Sequence, residues 1–242
     1  MNQFQSQIDQ QGWGMPAAQA HADERSDFIR NTYVHLFLAM AAFVVIECCL
    51  FVFIGSEPIS EFFLSIPAAG LILMIGFMAV SWVANAWARS NTSKGLQYAG
   101  LSLYVVTEAL VFAPLLAIAA TYSDPSVIPT AGVLTLVAFG SLTAIVFLTG
   151  ADFSPLGRYL FWGTILTIGV AFCGIFFGFE LGVFFAAAMV ALASGYILYE
   201  TSNIIYHYRT DQYVAASLGL FASVALMLWY MIQLLMSFAG DD

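Results

Sequence analysis

The chain has 242 residues, of which 61% are hydrophobic and 9% charged, with 6 Lys and Arg against 15 Asp and Glu and a formal net charge of -9. A soluble domain is roughly 45–50% apolar and about 25% charged, so this composition cannot clothe a water-facing surface, and six basic residues leave no basic footprint for nucleic acid. Soluble enzymes and nucleic-acid binders are excluded, and an all-α polytopic protein of the lipid bilayer remains.

The chain divides into a polar tail, residues 1–29, and a membrane domain, residues 30–240. The tail carries Gln3, Gln5, Gln7, Gln10, Gln11 and Gln19 with Gly12, Gly14 and Pro16, a composition expected of a flexible cytoplasmic segment. No basic stretch leads into an apolar run there, so a cleaved signal peptide is not expected.

A membrane-crossing helix needs about 20 mostly apolar residues, and seven stretches meet that requirement: 32–54, 67–88, 96–120, 130–149, 156–178, 181–206 and 216–238. The first carries Glu47 in its outer half without a polar stripe, which points to a structural hydrogen bond, and His35 one turn inside, an interfacial position. The third carries Glu108 near its middle, with Gln97 and Tyr104 on the same face, and both a functional and a packing role fit it. In the fifth and sixth, Gly174, Gly178 and Gly182, and Ala187, Ala191 and Gly195, form ladders of small residues that suit close helix packing. The turn between these two spans is so tight that they must be neighbours. Cys48, Cys49 and Cys173 all fall within spans and read as small apolar residues.

On the sixth span Tyr196, Glu200, Asn203 and His207 share one helix face towards the cytoplasmic end. On the seventh, Gly219, Ser223, Leu226, Tyr230, Gln233 and Ser237 follow the same rhythm, which places this helix inside the bundle. Glu200 lies roughly 9 Å and Ser223 roughly 10 Å from the inner end of its span, so antiparallel neighbours bring the two level.

The six basic residues set the orientation. Arg25 and Arg30 precede the first span, Arg89 and Lys94 lie between the second and third, Arg158 follows the fourth and Arg209 the sixth, all on one side. Glu57, Glu61, Asp124, Glu180, Asp241 and Asp242 occupy the other. By the positive-inside rule the N-terminus is cytoplasmic and the C-terminus outside.

An acid at bilayer depth costs at least about 2.5–3.5 kcal/mol on insertion scales, which makes Glu47, Glu108 and Glu200 functional candidates by default. No Lys or Arg accompanies them within a span, and without a counter-charge, water or a cation a buried carboxyl favours its neutral form. Two readings of Glu200 stand side by side: a neutral acid hydrogen-bonded to Ser223 or a backbone carbonyl, holding two helices together, and a proton- or cation-responsive site holding calcium transiently, if any metal at all. Enzymatic chemistry is not expected. H-E-x-x-H and G-x-S-x-G are absent, none of His21, His35 and His207 lies deep in the membrane, and residues 216–238 contain no lysine for a retinal Schiff base. No cofactor is called for.

The segment Ser194-Gly195-Tyr196-Ile197-Leu198-Tyr199-Glu200-Thr201-Ser202-Asn203-Ile204-Ile205 resembles the signature of the Bax inhibitor-1 family, the transmembrane Bax inhibitor motif proteins, most of all its bacterial YccA branch. Arg30-Asn31-Thr32-Tyr33, Glu108-Ala109 with Pro114, and Asp152-Phe153-Ser154 with Leu156-Gly157 resemble further family positions in order. The likeness covers about residues 30–238 and implies a seven-helix bundle with the last helix central. Family members that act as pH-sensitive calcium leaks pair an aspartate of the sixth helix with one of the seventh. Here the first falls on Glu200 and the second on Ser223, and Leu226 stands at the family's seventh-helix asparagine, which leaves one acid of the pair. The YccA branch implies a regulatory role at the bacterial inner membrane, the restraint of the membrane-anchored AAA protease FtsH in membrane protein quality control, with the tail as the engaging segment. The alternative is a pH-responsive calcium or cation leak with Glu200 as titrating group, Ser223 as its neutral partner and Glu108, Asn203 and His207 along the path.

Overall fold

The computed structural model describes residues 15–90, 93–178 and 181–239. These contain eight α-helices: α1 Ala22–Phe53, α2 Ser56–Ser65, α3 Ala69–Ala88, α4 Lys94–Tyr122, α5 Val127–Thr149, α6 Leu156–Phe177, α7 Gly182–Tyr206 and α8 Tyr213–Ala239. All but α2 are long and apolar enough to cross a membrane, and they coincide with the seven expected spans. The protein is therefore an all-α polytopic bundle.

The ten-residue α2 was not expected. The segment after α1 reads as a turn because Gly55 and Pro58 interrupt it. Gly55, at φ 94, ends one helix and serves as the N-cap position of the next, and Ser60 is fully buried as α2 packs on α4. Part of the stretch read as a tail, from residue 15 on, is structured. Helix α1 begins at Ala22, and residues 15–17 run beside the turn after α7: the Ala17 N–H donates to the Tyr208 carbonyl at 2.8 Å, and the Thr210 N–H to the Met15 carbonyl at 3.0 Å. Ala17 is completely enclosed. The tail residues 1–14, and Glu180, Asp241 and Asp242 of the outer face, lie outside the described residues.

Helix α8 is central, packing against α1, α3, α4, α5 and α7. Its first turns are enclosed on every side, with Val214, Ala215, Ala216, Ser217, Leu218, Leu220 and Phe221 all buried. Farther out, aromatic edges lock it to α1 and α4: Phe43 meets Phe112 at 5.1 Å and Phe221 at 6.2 Å, and Phe112 meets Trp229 at 5.1 Å.

The basic residues gather at one end. Lys94 Nζ donates to the Asp211 carbonyl at 2.5 Å and stands 4.4 Å over the Tyr213 ring. His35 Nε2 lies 3.1 Å from Tyr98 Oη. The Tyr206 hydroxyl donates to the Gly150 carbonyl, and the Phe153 N–H to Ser202 Oγ at 2.9 Å, which staples the α5–α6 turn to α7.

Close helix approaches fall on glycines other than Gly178 and Gly182 of the first ladder. Gly178 and Gly182 have positive φ, 71° and 62°, and nothing within 4 Å of a Cβ built on either. They shape the α6–α7 turn and carry no packing seam. Ala187 and Ala191 of the second ladder are exposed, whereas its Gly195 does pack, 2.7 Å from Leu160 measured to an added Cβ. Gly157 accepts the ring of Tyr199 and Gly163 the tip of Leu192, so α6 sits against α7 through three glycines.

The tightest backbone approach joins α3 to α4. A Cβ on Gly100 would stand 2.5 Å from the Ala88 amide nitrogen and 2.6 Å from the Ala84 carbonyl oxygen, and backbone cannot yield as a side-chain tip does. Gly100→Ala is expected to cost about 1–3 kcal/mol by overpacking, read as a lowered melting temperature in detergent. Gly76→Ala, which meets nothing within 4 Å, is expected to leave stability unchanged or raise it by up to about 1 kcal/mol through helix propensity.

Candidate functional site

Glu200 lies between two cavities. The larger, about 630 Å³, runs through the bundle between α3, α4, α6, α7 and α8, and is walled mainly by apolar side chains, with Glu108, Tyr196 and Glu200 among its polar groups. The smaller, about 260 Å³, is polar and sits at the basic end, lined by Arg89, Tyr199, Glu200, Asn203, His207, Tyr208 and Gln212. Arg89 and Glu200 belong to both walls. The α7 stripe is thus divided by depth: Tyr196 faces the inner cavity, Asn203 and His207 the outer polar one, and Glu200 stands at the septum.

Glu200 is 8% exposed. It packs against α8 one turn nearer the basic end than the expected level, at Gly219, where an added Cβ would come within 2.8 Å of its Oε2. A side chain at 219 would occupy the space the carboxylate needs, which is why a glycine suits this position. The expected bond to Ser223 is not made. Ser223 Oγ donates instead to the Gly219 carbonyl at 2.9 Å, satisfied within its own helix, although Ser223 shares the wall of the larger cavity with Glu200. Tyr208 supplies the bond, its hydroxyl donating to Glu200 Oε2 at 3.3 Å, and the Asn203 side chain also bonds to Glu200. Burial pushes the Tyr208 phenol above its ordinary pKa, the Glu200 charge adds to that rise and Arg89 opposes it.

Two members of this site escaped sequence reasoning. Arg89 marks topology in the sequence, yet from the end of α3 its charge acts on Glu200, so that acid does have a basic neighbour. Tyr208 lies in a turn, two residues beyond α7. Both lie at the basic end with Glu200, but that alone singles out neither from the other residues there.

The remaining candidates separate. Glu108, 6% exposed at the middle of α4, lines the larger cavity and leaves Oε2 without a hydrogen-bond partner. Gln97 does not join it; its amide donates to the Ser90 carbonyl at 2.8 Å. Glu47, 5% exposed, has neither oxygen hydrogen-bonded, so the expected structural bond is absent. His207 faces outward with Nε2 3.9 Å from Asp152 Oδ2, and the Ser154 hydroxyl and N–H hold the Asp152 carboxyl below its ordinary pKa. Among the described residues no group of three or more His, Cys, Asp or Glu is arranged to hold a metal ion.

Comparison with known proteins bears on this arrangement. The model of the family described as "Inhibitor of apoptosis-promoting Bax1" matches residues 25–240. Protein LIFEGUARD 4 of Arabidopsis thaliana is 31% identical over 207 residues, 83% of this chain and 80% of that protein. The Golgi anti-apoptotic protein of Vaccinia virus (strain Lister) is 27% identical over 224 residues, 92% of this chain and 90% of that one. An uncharacterized membrane protein of Vibrio cholerae is 26% identical over 221 residues, 90% and 93% of the two chains.

The contact at Gly219 separates site from scaffold. The atom a Cβ would meet is the far end of the Glu200 side chain, so Gly219→Ala is expected to shift the carboxylate while changing stability by less than about 1 kcal/mol. Infrared spectroscopy checks this: the carboxyl band assigned through its loss in Glu200→Gln should move in Gly219→Ala, with the melting temperature nearly unchanged.

Proposed function

The chain belongs to the Bax inhibitor-1 family, and from that premise we propose that it is a pH-responsive cation leak of the bacterial inner membrane, with Glu200 as its titrating gate. One observation carries this reading: of the residues lining the two cavities, only Glu200 and Arg89 are common to both. A group that separates a chamber inside the bundle from a polar vestibule controls passage between them, and a carboxyl does so according to its proton.

The sign follows from the charges. Ionised, Glu200 attracts Arg89 and holds the guanidinium at the septum, where its positive charge opposes cation entry. Protonation removes that attraction, Arg89 relaxes into the vestibule, and the path opens as pH falls. Calcium takes six to eight oxygen ligands, more than Glu200, Asn203 and Tyr208 provide, so the site passes a cation without storing it.

A second reading, restraint of a membrane-anchored AAA protease such as FtsH, is supported by the tail. Residues 15–17 are hydrogen-bonded to the turn holding Tyr208, so a cytoplasmic partner that grips the preceding residues acts beside Glu200.

Purified protein in vesicles loaded with a calcium or proton dye tests the leak. Flux is expected to rise from about pH 8 to about pH 6; Glu200→Gln should leak at the acid level throughout, and Arg89→Gln should raise flux at the higher pH. Wild-type vesicles as tight as protein-free ones at both ends of the range, or a variant without Glu200 that keeps the pH response, would defeat it. For the second reading, removal of residues 2–14 is expected to reduce co-purification with FtsH and speed turnover of its membrane clients; unchanged binding and turnover count against it.

A further inference from the structure

The larger cavity holds a second feature that the gate does not use. Glu108 stands at its wall halfway along α4, more than nine-tenths buried; Tyr104 hydrogen-bonds to its carboxyl, and Oε2 is left without a partner. A buried carboxyl oxygen left unpaired is costly, and a ligand bringing positive charge removes that deficit. Around it the wall is aromatic: Tyr104 one turn earlier, Phe77 with its ring centroid 5.9 Å from that of Tyr104, and Trp229. Ring faces attract cations held within about 6 Å, most of all where water is excluded.

Helices α3 and α6 both line the cavity, through Leu73, Met74 and Phe77 on one and Thr167, Ile168 and Ala171 on the other, and among the described residues they share no extensive interface. A solute dissolved in lipid therefore meets the cavity between them. The volume, about 630 Å³, lies within the roughly 300–1,000 Å³ range of small-molecule sites. Charge selects the ligand's sign. Arg89 disfavours a cation at Glu200, whereas no basic residue lines the wall at the depth of Glu108, and the described outer face offers Glu57, Glu61 and Asp124.

We propose that the intramembrane cavity is a binding site for lipophilic organic cations, which enter from the bilayer between α3 and α6 and are neutralised by Glu108 within the Tyr104, Phe77 and Trp229 aromatic wall. The ligand class is an organic ammonium or phosphonium whose charge is shielded by apolar substituents. Such a molecule is soluble in lipid and still carries the charge that Glu108 needs. The site is independent of the leak, since binding is measured without flux.

The test is equilibrium dialysis of tetraphenylphosphonium against the full chain in nanodiscs of neutral lipid. Saturable binding is expected, weakened at least about tenfold in Glu108→Gln, largely retained in Glu108→Asp, and unaffected in Glu47→Gln, whose acid is buried outside the cavity. Uncharged triphenylphosphine oxide should not compete. Absence of saturable binding to the wild type, equal affinity in Glu108→Gln, or equal competition by the neutral compound overturns the proposal. Should Glu108→Gln fail to give a monodisperse protein, Phe77→Leu decides: severalfold weaker binding is expected there, against none in the lipid-facing Phe37→Leu, and equal affinities overturn the site.

Discussion

Apolar side chains inside a bilayer gain little by turning towards one another instead of towards lipid, so helices associate there only where surfaces interlock or polar groups must be satisfied. Everything else in this protein depends on how α8 meets that constraint. Its small residues at the basic end, Ala215, Ala216 and Ser217, admit neighbours on all sides, and Phe221 and Trp229 extend the contact by edge-to-face packing with α1 and α4. Because α8 is encircled, an acid on α7 that faces it is removed from lipid without a dedicated counter-ion at contact distance. The burial of Glu200 against Gly219 is a product of the central helix before it is a functional device.

The same constraint explains the uneven grip on the outer helices. Helix α3 is held to α4 by direct backbone approach at Gly100, and α6 to α7 by Gly157, Gly163 and Gly195 together with the 2.7 Å contact between the Thr164 and Tyr196 hydroxyls. Neither arrangement draws α3 and α6 towards each other, and the space between them is the larger cavity. At the basic end, by contrast, the Met15–Thr210, Ala17–Tyr208, Lys94–Asp211 and Phe153–Ser202 bonds form a continuous belt. The bundle is clasped at one end and open in its middle, which is the geometry that a vestibule leading to an internal chamber requires.

Spans, order and the central position of α8 were legible because they depend on hydropathy and on a polar stripe at helical spacing, properties that each residue carries in its own identity. Glu200 was legible for the same reason, as an acid in an apolar run. Its partners were not. Tyr208 and Arg89 reach it from a turn and from the end of another helix, and nothing local distinguishes Arg89 from the other basic residues of that face. Ser223 misled because a serine in a helix can satisfy itself on the carbonyl four residues back, as it does at Gly219. The short α2 was hidden by Gly55 and Pro58, which usually mark a turn and here open a helix, and the Gly178 and Gly182 spacing resembled a packing ladder while serving a left-handed turn.

The three intramembrane acids share a residue type and differ in what surrounds them, and that difference assigns them. Glu47 is buried, with neither oxygen hydrogen-bonded and no place in the wall of either cavity. Glu200 has a polar vestibule on one side, a phenol donor and a guanidinium charge nearby, which is what a carboxyl needs if it is to exchange its proton with water and be electrostatically sensed when it does. Glu108 has the chamber without the vestibule: space for a ligand, aromatic faces, and an oxygen left unpaired. With Ser223 in place of a second acid, three carboxyls still stand in the membrane interior; in the two proposals made above, Glu200 at the septum carries the proton response and Glu108 the cation binding.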